Sequence, residues 1–186
     1  MGKIVSSFFI ALDGVVEQPD QWHFPYFDDE MGAAIGEGMA SCAAFLMGRT
    51  MYDEWSTYWP SIAEDSEEAE IAAFFNNIRK YVISNSLTEA KWQESTIISG
   101  DIETKVRRLK DETDGNINMS GSAKTVRWLL AHGLVDELEL MVHPIVVGKG
   151  QRLFNEQLPA VPLKLLSSKT FGSGVLHLRY GPDTAK

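Results

Sequence analysis

The chain has 186 residues, 44% of them hydrophobic, and a single cysteine, Cys42. That is enough for one domain, residues 1-186, burying about 70% of the surface its unfolded form exposes, and it excludes an internal disulfide. A formal net charge of -9 argues against nucleic acid or an anionic membrane as partner, and no apolar run approaches the roughly 20 residues of a membrane helix, so a soluble, cytoplasmic protein handling small molecules is expected.

Lys3 to Leu12 reads as a buried strand ending at the turn signal Asp13-Gly14. Its apolar run is broken by Ser6 and Ser7 and lacks a small-residue cleavage site, unlike a secretory signal. Val15 to Pro25 reads as a loop carrying Trp22 and His23. Phe27 to Met39 reads as a helix with Met31, Ile35 and Met39 along one side, and Gly32 and Gly36 suggest a close approach to sheet or ligand. Between Ile4 and Gly48 there is no Lys or Arg, while Asp13, Glu17, Asp20, Asp28, Asp29, Glu30 and Glu37 all fall there.

Ala43 to Met47 is a short strand, and Cys42 beside it reads as a buried structural thiol. Gly48-Arg49-Thr50 is a small-residue turn, and Met51 to Trp59 a helix stopped by Pro60. An Arg at a helix start suits a phosphate, because its planar fork holds two oxygens; a surface Arg with Thr50 as cap is the plainer alternative. Glu64 to Ile78 reads as a helix with an acidic start, and Tyr81 to Ser84 as a strand running into the polar turn Ser84-Asn85-Ser86. After a strand at Thr96 to Ile98, Asp101 caps a helix with Ile102, Val106 and Leu109 inward and Lys105, Arg107, Arg108 and Lys110 on a solvated face.

Asn116 to Leu130 reads as strand (Ile117, Met119), tight turn (Ser120-Gly121-Ser122) and helix from Ala123. A Gly between hydroxyl residues lets a ligand approach backbone N–H groups, the helix start adds its unpaired amides, and Lys124 could add a charge for a pyrophosphate. The alternative is an ordinary junction with Ser122 as N-cap. Glu137 to Val147, Pro162 to Phe171 and Val175 to Tyr180 read as strands, with Gly148-Lys149-Gly150 as a hairpin turn and Gly172-Ser173-Gly174 as a hairpin loop. Units of βαβ type followed by antiparallel strands give an α/β fold, a mixed sheet with helices on its faces.

Such sheets bind ligands beyond the carboxyl ends of their strands. Three turns of that kind, 48–50, 84–86 and 120–123, gather Arg, Thr, Ser, Asn and N–H groups as a dinucleotide would require. No G-x-G-x-x-G follows the first strand, which disfavours a standard Rossmann site. No His, Cys or carboxylate set has metal-ligand spacing, so no metal is expected.

With those turns the chain resembles the dihydrofolate reductase-like superfamily, and more closely the reductase domain of the bifunctional deaminase-reductases of riboflavin biosynthesis and its stand-alone relatives. SFFIALDGVVE, FLMGRTMYDEW, YVISNSL, INMSGSAKTVRWLLAHGLVDELELMVHPIVVGKGQRLF and GVLHLRY carry the resemblance. It implies a three-layer fold with a mostly parallel central sheet, a homodimer, and NADPH-dependent reduction of a small heterocycle. A nucleotide-binding protein without turnover and a true dihydrofolate reductase are the alternatives. By the resemblance, Gly48, Arg49 and Thr50 would meet the adenosine 2'-phosphate and pyrophosphate, Ser84 and Asn85 the adenosine, and Gly121, Ser122, Ala123 and Lys124 the pyrophosphate. Phe9, Ala11 and Val16 would face the nicotinamide. Folate reductases place a carboxylate on the first helix; here Phe27 takes that position, with Asp28 next to it. Asp13 and Asp28 are the candidate catalytic carboxylates, with a turn-capping Asp before Gly14 as the alternative for Asp13; Trp22, His23 and Trp55 could stack on a flat substrate, with packed aromatics or a surface His as the plainer alternative.

Overall fold

The computed structural model describes residues 1–156 and 158–185. Eight strands form one sheet in the order β4-β3-β2-β5-β1-β6-β8-β7: β1 Lys3–Ala11, β2 Cys42–Gly48, β3 Lys80–Ile83, β4 Ser95–Ile98, β5 Asn116–Met119, β6 Glu137–His143, β7 Leu163–Thr170 and β8 Leu176–Pro182. The first six are mutually parallel, and β8 runs antiparallel to both β6 and β7. This is the mixed, mostly parallel sheet of the dihydrofolate reductase-like fold.

Side chains alternate across the sheet. On one face Ile4, Phe8 and Ile10 of β1, Leu46 of β2 and Ile117 and Met119 of β5 pack against α4 (Ile102–Glu112) and α5 (Ala123–Ala131) through Val106, Leu109, Val126 and Leu129. On the other, Phe45, Met47 and Val82 meet α2 (Arg49–Tyr58) and α3 (Ala69–Asn77), while Phe9 and Met141 meet α1 (Asp29–Ala40) through Met31, Ala34 and Ile35. Helices on both faces make the three layers.

Several expectations change in detail. The helix expected from Glu64 begins only at Ala69, because Ser66 Oγ accepts the Glu68 N–H and competes with the helical bond. Gly32 and Gly36 of α1 meet no close backbone: a side chain at Gly36 would find nothing within 4 Å. Lys110 is not solvated; it is buried, with Nζ 2.7 Å from Asp136. The Asp136 carboxylate also accepts the Ile4 N–H, so the pair ties the end of α4 to the starts of β6 and β1. Finally, β6 stops at His143 before Pro144, which has no N–H to continue a ladder. Gly148-Lys149-Gly150 is therefore not a hairpin turn. It belongs to the long connection between β6 and β7, which crosses to the far edge of the sheet and bridges Val15 through Arg152. The loop at 172–174 does join an antiparallel hairpin.

Candidate functional site

The carboxyl ends of β3, β2 and β5 are neighbours on one edge of the sheet, since these strands are adjacent and parallel. The three turns at 48–50, 84–86 and 120–123 therefore open onto a single rim. Two of them touch. A Cβ built on Gly48 would stand 2.3 Å from Thr125 Oγ1 and 2.6 Å from Ser122 Oγ, and one built on Gly121 would stand 2.8 Å from Met51 Cε. Only glycine lets α2 and α5 begin this close together.

How the helices begin separates them. In α1 and α4 the first turn is capped by a carboxylate, Asp28 to Met31 N–H and Asp101 to Thr104 N–H. In α2 and α5 the N-cap residues are Gly48 and Ser122, neither makes a side-chain cap, and neither first turn holds an acid. Ser122 Oγ instead contacts Thr125 Oγ1 at 3.0 Å, so Ser122 occupies the N-cap position without capping. Two positive helix ends lie side by side with their amides directed at the rim, an anion cradle. Thr50 and Lys124 are exposed beside it, Ala123 is buried in the core, and Arg49 is half-buried with Nε 2.6 Å from Asp53 Oδ2 on its own helix. Ser84 and Asn85 are engaged within the fold: Ser84 Oγ accepts the Ser86 and Leu87 N–H groups of its own turn, and Asn85 Oδ1 accepts the Gly100 N–H just past β4.

The ends of β1 and β6 form the other half of the rim, and there the backbone amides are taken. Asp13 accepts N–H bonds from Gly148 (2.8 Å) and Val147 (3.4 Å), and Glu17 accepts that of Gln151 (2.8 Å). Across the hairpin loop, Asp28 accepts the Ser173 N–H (3.0 Å) and Glu30 that of Gly172 (2.8 Å). The cation-poor acidic stretch thus finds its partners in the glycine loops 148–150 and 172–174. The Gly148 amide holds the Asp13 carboxyl below its usual range, and the Met31 amide, then Ser173, does the same for Asp28. Both candidate catalytic carboxylates are ionised loop ties, unsuited to giving up a proton near neutral pH.

Phe9, Ala11, Trp22 and His23 do gather at this end, while Val16 packs against the cluster on the α4 and α5 face. Ala11 and Trp22 are buried against Val15, with Phe9 packed beside them; Val16 is half-buried and donates its N–H to Gln151 O. His23 is buried and stacks on Phe9 with centroids 4.6 Å apart. Trp55 does not join them. It packs against Phe45, Trp59 and Phe75 between α2 and α3, so its role is core packing near β2 and β3. One residue outside the candidates belongs here: His143, at the end of β6 and opposite Ala11, lies edge-on to Phe9, Trp22 and Tyr26. Its position just before the strand-ending Pro144 was the available signal.

Away from the rim, burial pushes the Cys42 thiol up to about 11, as befits a structural residue. A surface depression of about 470 Å³ lined by Lys80, Trp92 and Glu94 opens at the opposite, amino-terminal end of β3 and β4. Lys80 is wholly buried there, donating to the carbonyls of Phe75, Asn76 and Ile78 at the end of α3, which makes it a helix-terminus cap.

The family described as RibD C-terminal domain matches residues 2–177. The chain is 28% identical over 179 residues to the uncharacterized protein YyaP of Bacillus subtilis, covering 96% of this chain and 94% of that one. Among solved structures, a protein assigned to riboflavin biosynthesis from Shewanella sp. PV-4 superposes with a TM-score of 0.78 at 18% identity, covering 97% and 99% of the two chains. Enterococcus faecalis dihydrofolate reductase in complex with NADP(H) superposes with a TM-score of 0.60 at 12% identity, covering 98% and 97%. At these identities the two structures speak for the fold.

Proposed function

The chain belongs to the RibD C-terminal domain family, and from that premise we propose that it is an NADPH-dependent reductase of a small pyrimidine- or pteridine-like heterocycle. The observation that carries the reading is the paired start of α2 and α5, where Gly48 and Gly121 let two uncapped, acid-free helix ends meet on one rim. The residues fit a pyrophosphate. The amides of both first turns would hold its oxygens, with Lys124 beside them, while Arg49, released from Asp53, would reach the 2'-phosphate that distinguishes NADPH from NADH. When bound, the cofactor supplies a hydride; the chain positions it and shields the reacting end from water.

Arg49→Ala tests this directly. NADPH affinity, followed by the change in nucleotide fluorescence on binding, should fall about tenfold, a loss of about 1.4 kcal/mol, while NADH affinity stays the same. Equal affinities of the wild type for the two nucleotides would sink the assignment.

For a true dihydrofolate reductase the position next to Phe27 is unpromising, since Asp28 is bonded to the Met31 and Ser173 amides. The same engagement of Asp13 and Asp28 supports a second reading, a nucleotide-binding protein of this fold without turnover. Stopped-flow oxidation of bound NADPH against a panel of pyrimidines, pteridines and ketones separates the two readings. We further propose a homodimer formed through the last hairpin, where Leu165, Leu166 and Leu176 are exposed; sedimentation of the wild type and of Leu165→Lys tests it.

A further inference from the structure

Reduction of a C=N or C=O bond needs a proton as well as a hydride. The carboxylates near the end of β1 cannot supply it, because Asp13 and Asp28 are held ionised by the amides of Gly148 and of Met31 and Ser173, and Glu30 by Lys169 and the Gly172 amide. Two imidazoles remain at that end. His143 is wholly buried; its Nδ1 lies 2.8 Å from Met141 O and so carries the hydrogen, leaving Nε2 as a lone pair with no partner. His23 is 7% exposed, and its Nδ1 is likewise buried with no hydrogen-bond partner among the described residues. The two ring centroids are 6.1 Å apart. Buried polar atoms without partners are uncommon and ask for a reason.

The rim places this pair along the path of a dinucleotide. A pyrophosphate held at the starts of α2 and α5 would lie over β2 and β5, with one nucleoside toward β3 and the turn where Asn85 and Ser86 are exposed. The other would lie toward β1 and β6, one and two strand spacings of about 4.8 Å beyond β5. The second end has aromatic walls to exclude water: Phe9 under His23, and Phe24 and Phe27 beside it with centroids at 4.2 and 6.2 Å. Phe24 and Phe27 are themselves exposed, an apolar surface open to a ligand.

Resting on the reductase reading, we propose that His23, backed by His143, is the proton-carrying group of the reaction at the nicotinamide end of the site. A hydride leaving a C–H bond of the reduced nicotinamide with both electrons, and so oxidising that ring, would bond to the substrate carbon, and the π pair of C=N or C=O would move to the heteroatom. That atom takes the proton from the His23 imidazolium, breaking its N–H bond, and solvent restores the proton. The groups facing the pair are few. His143 faces His23 from β6, Asp20 acts on it from its own segment, Tyr26 lies edge-on to His143, and Asp28 is turned to Met31 and Ser173. Burial first, and His143 second, draw His23 below its ordinary 6.5, with Asp20 opposing. It is therefore neutral at rest near pH 7 and a strong acid once protonated.

The test compares binding of NADP⁺, whose ring is cationic, with binding of NADPH, whose ring is neutral, from pH 5 to pH 8. Titration of the shared phosphates cancels in the ratio of the two dissociation constants. With His23 beside the ring, the NADP⁺-to-NADPH ratio should rise roughly tenfold as pH falls through the lowered range of His23, beneath its ordinary value, and His23→Phe, which keeps the stack on Phe9, should flatten it. A second measurement needs no variant: the imidazole nitrogen signals of the wild type should titrate at lower pH with NADP⁺ bound than with NADPH bound. A flat ratio in the wild type, or the same slope in His23→Phe, overturns the assignment while leaving the reductase reading intact. Failure of both nucleotides to bind at any pH overturns the reductase reading, and this inference with it.

Discussion

The two halves of the rim use the same raw material, backbone N–H groups at the ends of parallel strands, in opposite ways. Over β2 and β5 the amides of two helix starts are left without side-chain caps, and neither first turn holds an acid. Over β1 and β6, Asp13, Glu17, Asp28 and Glu30 reach across to Gly148, Gln151, Ser173 and Gly172 and close two loops. The first half is built to receive an anion; the second supplies its own anions and so repels one. A net negative chain can thus hold a negatively charged ligand, because the acids beside the site are engaged and the cradle excludes them. The division also gives direction to a dinucleotide, with phosphates over the open half and an uncharged ring over the closed one.

The largest effect should come from filling the contact between the helix starts. Gly48→Val would drive a side chain into Thr125 and Ser122, and overpacking of this kind costs about 1–3 kcal/mol. We expect a lower Tm and at least a hundredfold loss of NADPH affinity, with Thr125→Ala in the same chain restoring part of the Tm. A full-affinity Gly48→Val protein would break the comparison at its open half.

The closed half is tested by acid. Asp13, Asp28 and Glu30 all have lowered carboxyl pKa values in the folded state. Their contribution is therefore complete above the unfolded carboxylate range near pH 4 and is lost as pH falls through the lowered folded values. Hydrogen exchange at Val147, Gly148 and Ser173 should accelerate in that window while exchange at the start of α5 does not. At neutral pH, Asp13→Ala should raise exchange at Val147 and Gly148 by about tenfold. Asp28→Ala, which removes the cap of α1 and the tie to Ser173, should lower Tm by roughly 2–5 °C.

How far the sequence could be read follows the same division. The open half was legible because strand, small turn and helix are local patterns, and the parallel order of β3, β2 and β5 then brings the turns together. The closed half was not. Asp13 and Gly148 are far apart in sequence, and nothing local in Asp28-Asp29-Glu30 names Ser173 or Gly172 as partners. Asp13 and Asp28 looked like catalytic carboxylates when they are loop ties. Lys110 was legible in principle: it follows Val106 by four residues on the inward side of α4, and only its charge argued for solvent. Trp55 was misplaced for a different reason. A Trp on a helix that starts at the rim can point along the rim or down onto the sheet, and its position in α2 turns it toward Phe45 and Phe75.

The smallest effect belongs to Lys124, and it sharpens the contrast most finely. Its side chain is exposed beside the open cradle, so it would meet a pyrophosphate as a screened point charge, whereas the amides of the α2 and α5 starts meet it at fixed, desolvated positions. Lys124→Ala should therefore weaken NADPH only about threefold at low salt, and the difference from wild type should shrink toward nothing as ionic strength approaches 1 M, where the Debye length is about 3 Å. If the backbone amides do the holding, the affinity that survives in high salt should be the same in both proteins. A loss that persists undiminished at 1 M salt would mean that the lysine, and not the paired helix starts, grips the phosphates.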